Sequence, residues 1–310
     1  GYDFIWTEMQ HSERDWEAPG APPRVDRLGG GVVWTAEGMP WVTAPNLTPD
    51  PETGIGRVSD DAIARAIREG IGADGHALFA LMPYGEYRRI PDEDVAAIVV
   101  YLRSLPPVRN ELPPRLLSPE LERLRAEAAL PLDGPVAARD LTDPAERGIY
   151  LIEIADCMGC HTAWEAPTNP GFGGGGNAIA RFGERAWSAN LTPDPSGIGG
   201  YTEEIFLGVM RSGRGGTLHP AMPWAAYRSL TDDDLRAIYR ALRLLPPVAH
   251  RVHNAAPPTP CPVCGQPHGL GELNAPPALE RVAVDLGPLE AYPGSYRFGV
   301  DDLEVAAHDG

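Results

Sequence analysis

The chain has 310 residues, enough for two ordinary domains and an appendage. Its formal net charge of −17, with all 26 basic residues arginine, argues against nucleic acid, which needs a basic footprint, and suits solubility or a basic docking partner. No apolar run reaches the length needed to cross a bilayer, which predicts a soluble chain, and two separate CxxC pairs in so long a chain are no disulfide scaffold.

In chain order, the first 250 residues carry a repeat. "NLTPDP" stands at 46–51 and again at 190–195, with "GIG" following at 54–56 and 197–199. Residues 82–108 align without a gap on 222–248 and agree at 14 of 27 positions. Gly29–Gly31 are read opposite Gly173–Gly175. Ser59 is placed to cap a helix "DDAIARAIRE" that Gly70 ends, and Thr202 and Gly213 bracket "EEIFLGVMRS" in the same way. Thr231 opens the last helix of the second copy, with Asp234 three residues on as a weak capping box. Leu235, Ile238, Tyr239, Leu242 and Leu245 give it one apolar stripe at helical spacing. "LPPV" stops that helix in both copies, because proline cannot continue it. No alternating strand pattern of useful length appears, so the expected fold class is mainly α.

Four segments follow from this reading. Residues 1–112 form the first copy, 113–143 a proline-flanked linker with one helix over "SPELERLRAEAAL", and 144–250 the second copy. Residues 251–310 form an irregular C-terminal extension with few core residues of its own.

The chemistry lies in "CMGCH". Cys157 and Cys160, two spacers apart, suit thioether bonds to the two vinyl groups of a haem, and the adjacent His161 suits an axial bond to the iron. The preceding helix, "DPAERGIYLIEIAD", and the downstream motifs favour this over a redox disulfide or half of a zinc site. For the sixth iron position the candidates are Met210, His219 and Met222. Met210 sits on a helix face that suits core packing, and His219 lies in a loop before proline. Met222, in "HPAMPW", is the preferred choice: a proline-held loop presents its thioether.

With "CMGCH", "NLTPDP…GIG", "HPAMPWAAYRSLTDDDLRAIYRAL" and "SLPPVRNELPP" falling in this order, residues 1–250 resemble tandem class I c-type cytochromes, notably two-domain electron-accepting subunits of periplasmic dehydrogenases. The resemblance implies one covalent haem c held by Cys157 and Cys160, with His161 proximal and Met222 distal. It also implies that a first helix, near Gly148 and Tyr150, crosses the last, near Tyr239. It places the chain in the periplasm or on the outer face of the cytoplasmic membrane. It implies an electron carrier within a respiratory, photosynthetic or dehydrogenase complex, passing electrons between redox protein partners. Two other readings stand beside it: a haem peroxidase or sulfur-compound oxidoreductase with a displaceable sixth ligand, and a structural subunit.

The first copy lacks the attachment cysteines. Aligning back from the shared "WEAP" puts Thr7 opposite Cys157, Gln10 opposite Cys160 and His11 opposite His161, while Met82 matches Met222. Three explanations remain open: a haem-less copy kept for docking, a non-covalent haem held by His11 and Met82, and a chance alignment of His11. In the extension, "CPVCGQPH" puts glycine where a haem motif has histidine, so Cys261 and Cys264 read as a metal-binding knuckle or a local disulfide. For zinc, His268 and His253 are the expected completing ligands, with His250 the alternative to His253.

Overall fold

A computed structural model describes residues 28–30, 33–36, 39–78, 82–112, 123, 130–164, 166–181, 184–214, 218–219, 222, 224–275, 294–298 and 301–305. Thr7, Gln10 and His11 lie outside these residues, as does the expected linker helix apart from Arg123, which is helical. Residues 1–275 form one compact unit and 276–310 another, so the stretch 251–310, read above as a single extension, divides at residue 275.

The first unit begins with a ribbon, β1 (Val33–Ala36) and β2 (Met39–Thr43), followed by α1 (Asp60–Glu69), α2 (Tyr84–Tyr87) and α3 (Asp92–Ser104). Next come α4 (Pro144–Ile154) and the single-turn α5 (Cys157–His161). A ribbon of β3 (Ala178–Arg181) and β4 (Glu184–Trp187) precedes α6 (Glu203–Ser212), α7 (Trp224–Tyr227) and α8 (Asp232–Leu242). A short ribbon of β5 (Pro258–Pro260) and β6 (Pro267–Gly269) ends this unit, and β7 (Gly294–Phe298) with β8 (Asp301–Val305) forms a hairpin in the second. Helices dominate the described residues, and every ribbon among them is a two-stranded antiparallel pair.

The expected caps form. The Ser59 hydroxyl accepts from Ala62 N, that of Thr202 from Ile205 N and that of Thr231 from Asp234 N, while Gly70 (φ 67°) and Gly213 (φ 60°) end α1 and α6 in the left-handed region. Asp234 does not reach back to the Thr231 amide as a capping box would. Its carboxylate accepts from the Thr231 hydroxyl at 2.7 Å and from Arg147 Nε at 2.7 Å, tying α8 to α4.

Two apolar clusters result. Leu28, Ile63, Ile67, Tyr87, Ile90, Val95, Val99, Leu102 and Leu105 make the first, around α1 to α3. Ile152, Met158, Phe206, Met210, Leu235, Ile238 and Leu242 belong to the second, from α4 to α8. The expected stripe on α8 is confirmed in these packing terms: Leu235, Ile238 and Leu242 are buried, and Tyr239 and Leu245 lie against them. The crossing of α4 on α8 falls at Gly148 but meets Ala237 and Ala241, half a turn either side of Tyr239.

The repeated "NLTPDP" has a structural task. In each half the asparagine accepts from the threonine two residues on, at its amide and its hydroxyl. Its Nδ2 then donates to the carbonyl of the valine that ends "LPPV". The valine amide returns a bond to the threonine hydroxyl, at 3.0 Å in both halves. This corner ties the loop before α1 or α6 to the chain leaving α3 or α8. The glycines correct the sequence alignment by one residue. A Cβ on Gly30 would strike Ala44 and Pro45 as one on Gly175 would strike Ser188 and Ala189, and Gly29 meets Val108 as Gly174 meets Val248. Gly29 and Gly30 therefore match Gly174 and Gly175. Identical letters in a glycine run hide such a shift, and close packing exposes it.

Candidate haem site and a cysteine and histidine cluster

Asp156 adopts φ 44° and ψ 43°, which turns the chain sharply out of α4, and its carboxylate accepts from Gly159 N at 2.9 Å to open α5. One helical turn then carries Cys157, Cys160 and His161. Both thiols are partly buried and stand outside any disulfide. Burial first, and then the nearby Asp156 and Cys160, push the Cys157 thiol up to about 12, which keeps it protonated at neutral pH.

His161 is buried, and its Nδ1 lies 2.7 Å from the Ala189 carbonyl oxygen. A carbonyl can only accept, so Nδ1 carries the proton and Nε2 keeps its lone pair. Burial lowers the His161 pKa, with the Ala189 bond opposing, which favours the neutral ring that binds a metal. Further backbone contacts fix the turn: Gly175 N donates to His161 O at 2.8 Å, and Gly173 N to the Thr162 hydroxyl at 3.1 Å.

Of the sixth-position candidates, Met210 is buried within the second apolar cluster, as a core residue would be. His219 is partly buried, and its carbonyl accepts from Met222 N and Trp224 Nε1. Met222 is partly buried and packs against the cluster that Cys157 also flanks. Its counterpart Met82 packs against the first cluster. The donor set suits haem c: two thiols on one turn, an adjacent imidazole with Nε2 unprotonated, and a thioether bordering the same apolar wall.

The second constellation joins His250, Cys261, Cys264 and His268, all buried, with ligand-capable atoms within 4.8 Å of one another. Cys261, Cys264 and His268 are therefore brought together as expected. His253 is not in the group, and His250 takes the place assigned to it. The Asn190 corner decides this: Asn190 Nδ2 donates to His250 O at 3.0 Å and His250 N donates to the Ser196 hydroxyl at 3.0 Å, pinning that backbone beside the knuckle. Three residues later His253 lies with its carbonyl against Gly269, where a Cβ would approach it to 1.9 Å. Chain distance from the cysteines could not separate the two histidines, whereas the repeated corner motif was a usable signal.

No family model matches the chain. The fructose dehydrogenase cytochrome subunit of Gluconobacter japonicus is 30% identical over 237 residues, covering 71% of this chain and 47% of that protein. The cytochrome c subunit of alcohol dehydrogenase (quinone) from Gluconacetobacter polyoxogenes is 32% identical over 233 residues, covering 67% and 48%. The gluconate 2-dehydrogenase cytochrome c subunit of Pantoea cypripedii is 30% identical over 242 residues, covering 68% and 54%. The chain thus spans about half the length of these relatives. It is a homologue of the cytochrome c subunits of dehydrogenases.

Proposed function

We propose that this chain is an electron-transfer subunit of a dehydrogenase complex, working at the outer face of the cytoplasmic membrane or in the periplasm, with one covalent haem c. Cys157 and Cys160 hold the porphyrin through thioethers, His161 is the proximal ligand and Met222 the distal one. Haem c supplies a one-electron iron couple at this position. The protein contributes orientation and dryness. The Ala189 carbonyl holds the His161 tautomer, and the buried wall of Met158, Met210 and Leu242 excludes water from the interior.

The observation that carries this reading is the His161 to Ala189 bond, because it commits Nδ1 and leaves Nε2 as the donor on the same turn as two cysteine thiols. Within the same proposal, residues 1–112 are a duplicated cytochrome domain without covalent haem, 113–143 a linker and 144–250 the haem domain. The first domain serves as a scaffold: α4 reaches it through Tyr150, whose hydroxyl donates to Asp94 on α3, and through Ile154, which packs on the first cluster.

Intact mass and a reduced-minus-oxidised spectrum test the proposal. The expected result is one haem added covalently per chain, with low-spin iron. Replacing Met222 by alanine leaves the covalent haem in place but removes the thioether signature and lowers the potential. Colourless protein, pigment extractable by acidified acetone, or high-spin iron in the unaltered chain overturns it.

A further inference from the structure

Both imidazoles of the second cluster have their Nδ1 committed to carbonyls, His250 to Gly174 O at 2.8 Å and His268 to Gly269 O at 3.2 Å. Each Nε2 therefore carries a lone pair, and the two Nε2 atoms face each other at 3.2 Å. Two buried acceptors so close repel unless a cation lies between them. Cys261 Sγ is 3.6 Å from His250 Nε2. A tetrahedral ion with bonds of about 2.05 Å to nitrogen and about 2.3 Å to sulfur sets N···N near 3.3 Å and N···S near 3.55 Å. Both separations match the observed ones to within about 0.15 Å.

We propose that His250, Cys261, Cys264 and His268 bind one zinc ion, with two imidazole and two thiolate donors. Two thiolates neutralise the dication, so the complete site puts no net charge into the interior. The surroundings suit that charge. Asn274 Nδ2 donates to Cys261 Sγ at 3.3 Å, as an outer partner of a bound thiolate does, and Asn274 is itself held by the Arg251 amide and carbonyl. The knuckle turns on Gly265 (φ +72°), whose amide donates to Cys261 O at 2.9 Å, and β6 delivers His268 opposite Thr259.

A comparison within the chain isolates what is new at residue 250. In the first half the matching position is Asn110, whose amide donates to the Thr53 hydroxyl and whose Nδ2 donates to Gly29 O at 2.9 Å. His250 makes the same two contacts, to the Ser196 hydroxyl and Gly174 O. Asparagine serves that purpose in the first half. The imidazole adds a second nitrogen, and that nitrogen is aimed at Cys261 and His268. The knuckle in turn rests on the segment just after "CMGCH": Cys264 O accepts from Thr168 N, and Val263 and the two cysteines pack on Ala166. The ion thus ties the knuckle and β6 to His250, which is itself anchored on Gly174 beside the loops that position His161, and its binding does not depend on the haem reading.

Elemental analysis of the full chain, purified without added metal and normalised to protein rather than to iron, tests the site. The expected result is one zinc per chain. His250→Gln and Cys264→Ser each lower zinc content by more than about tenfold, whereas His253→Gln leaves it unchanged. Peptide mapping under non-reducing conditions runs in parallel. A wild-type chain without zinc in which Cys261 and Cys264 are joined as a disulfide overturns the proposal. So does another metal in zinc's place, or zinc lost from His253→Gln but retained by His250→Gln. The result stands whether or not haem is found.

Discussion

Gly148 on α4 sits directly against the Ala237 carbonyl on α8, so that a Cβ at residue 148 would come within 2.0 Å of the carbonyl oxygen and 2.8 Å of Ala241 Cβ. The helices cross where neither side chain intervenes. Alanine at 148 gains about 1 kcal/mol of helix propensity, but the overlap with backbone forces the helices apart and costs more. Gly148→Ala is expected to destabilise by about 1–3 kcal/mol and Gly148→Val by more. Gly208 on α6 is the control: a Cβ there meets nothing within 4 Å, so Gly208→Ala gains about 0.5–1 kcal/mol. Denaturant midpoints of the three variants check the opposed signs, and equal effects at 148 and 208 would refute the crossing.

Asp234 supplies a pH-dependent link at the same crossing. Burial alone raises its pKa, but bonds from Thr231 and Arg147, with the Arg147 charge, outweigh burial and hold the carboxyl below its ordinary value. The unfolded group takes up its proton near pH 3.9, about the ordinary aspartate value. The contribution is therefore fully present above that pH and is lost as pH falls through the lower, folded value. Asp234→Asn is expected to be less stable by about 1–3 kcal/mol at pH 7, with the gap to wild type closing below about pH 4. A gap that stays constant down to pH 2 would count against the Asp234 carboxylate as its source.

The two corner asparagines should differ. Both Nδ2 groups reach a valine carbonyl and a loop hydroxyl, Val248 O and Ser196 for Asn190 and Val108 O and Thr53 for Asn46, but Asn190 Nδ2 also serves the His250 carbonyl. Asn190→Ala leaves buried partners of both segments unsatisfied and is expected to cost about 2–4 kcal/mol. It also releases the backbone of His250, so zinc content falls with it. Asn46→Ala carries a comparable or smaller stability cost and leaves zinc intact. Zinc unchanged in Asn190→Ala would show that the corner does not place His250.

Much of this architecture was legible because local chemistry enforced it. Ser59, Thr202 and Thr231 cap helices because their hydroxyls satisfy amides that the helix itself cannot. "CMGCH" stands out because two thiols and an imidazole at fixed spacing fall within five consecutive residues, which the structure sets on one helical turn. The misreadings arose where the answer lay in packing between distant segments. The glycine register turned on Val108 and Val248, which lie far along the chain from the glycines they touch. His250 rather than His253 joins Cys261 because Asn190, some sixty residues earlier, fixes its backbone. The β3–β4 ribbon escaped notice because four-residue strands are too short to show an alternating pattern.

Tyr150 carries a close polar link between the two halves. Its hydroxyl donates to Asp94 Oδ2 at 2.5 Å, and Asp94 stands on α3 where Asp234 stands on α8. Burial, reinforced by Asp94, raises the Tyr150 pKa, so the hydroxyl remains a donor across the working pH range. The neighbouring Glu153 bonds Arg89 of the first half, but that arginine is largely exposed and its pairing contributes little. Tyr150→Phe keeps the ring against Arg139 while removing the donor. It is expected to cost about 1–3 kcal/mol, because the lost bond went to a charged acceptor. The loss should fall unevenly: Asp94 keeps its place but not its partner, so amide protection in α3 drops relative to α8. Hydrogen exchange resolved by segment measures this. An equal loss in both helices would mean that Tyr150 stabilises its own half alone and does not join α4 to α3.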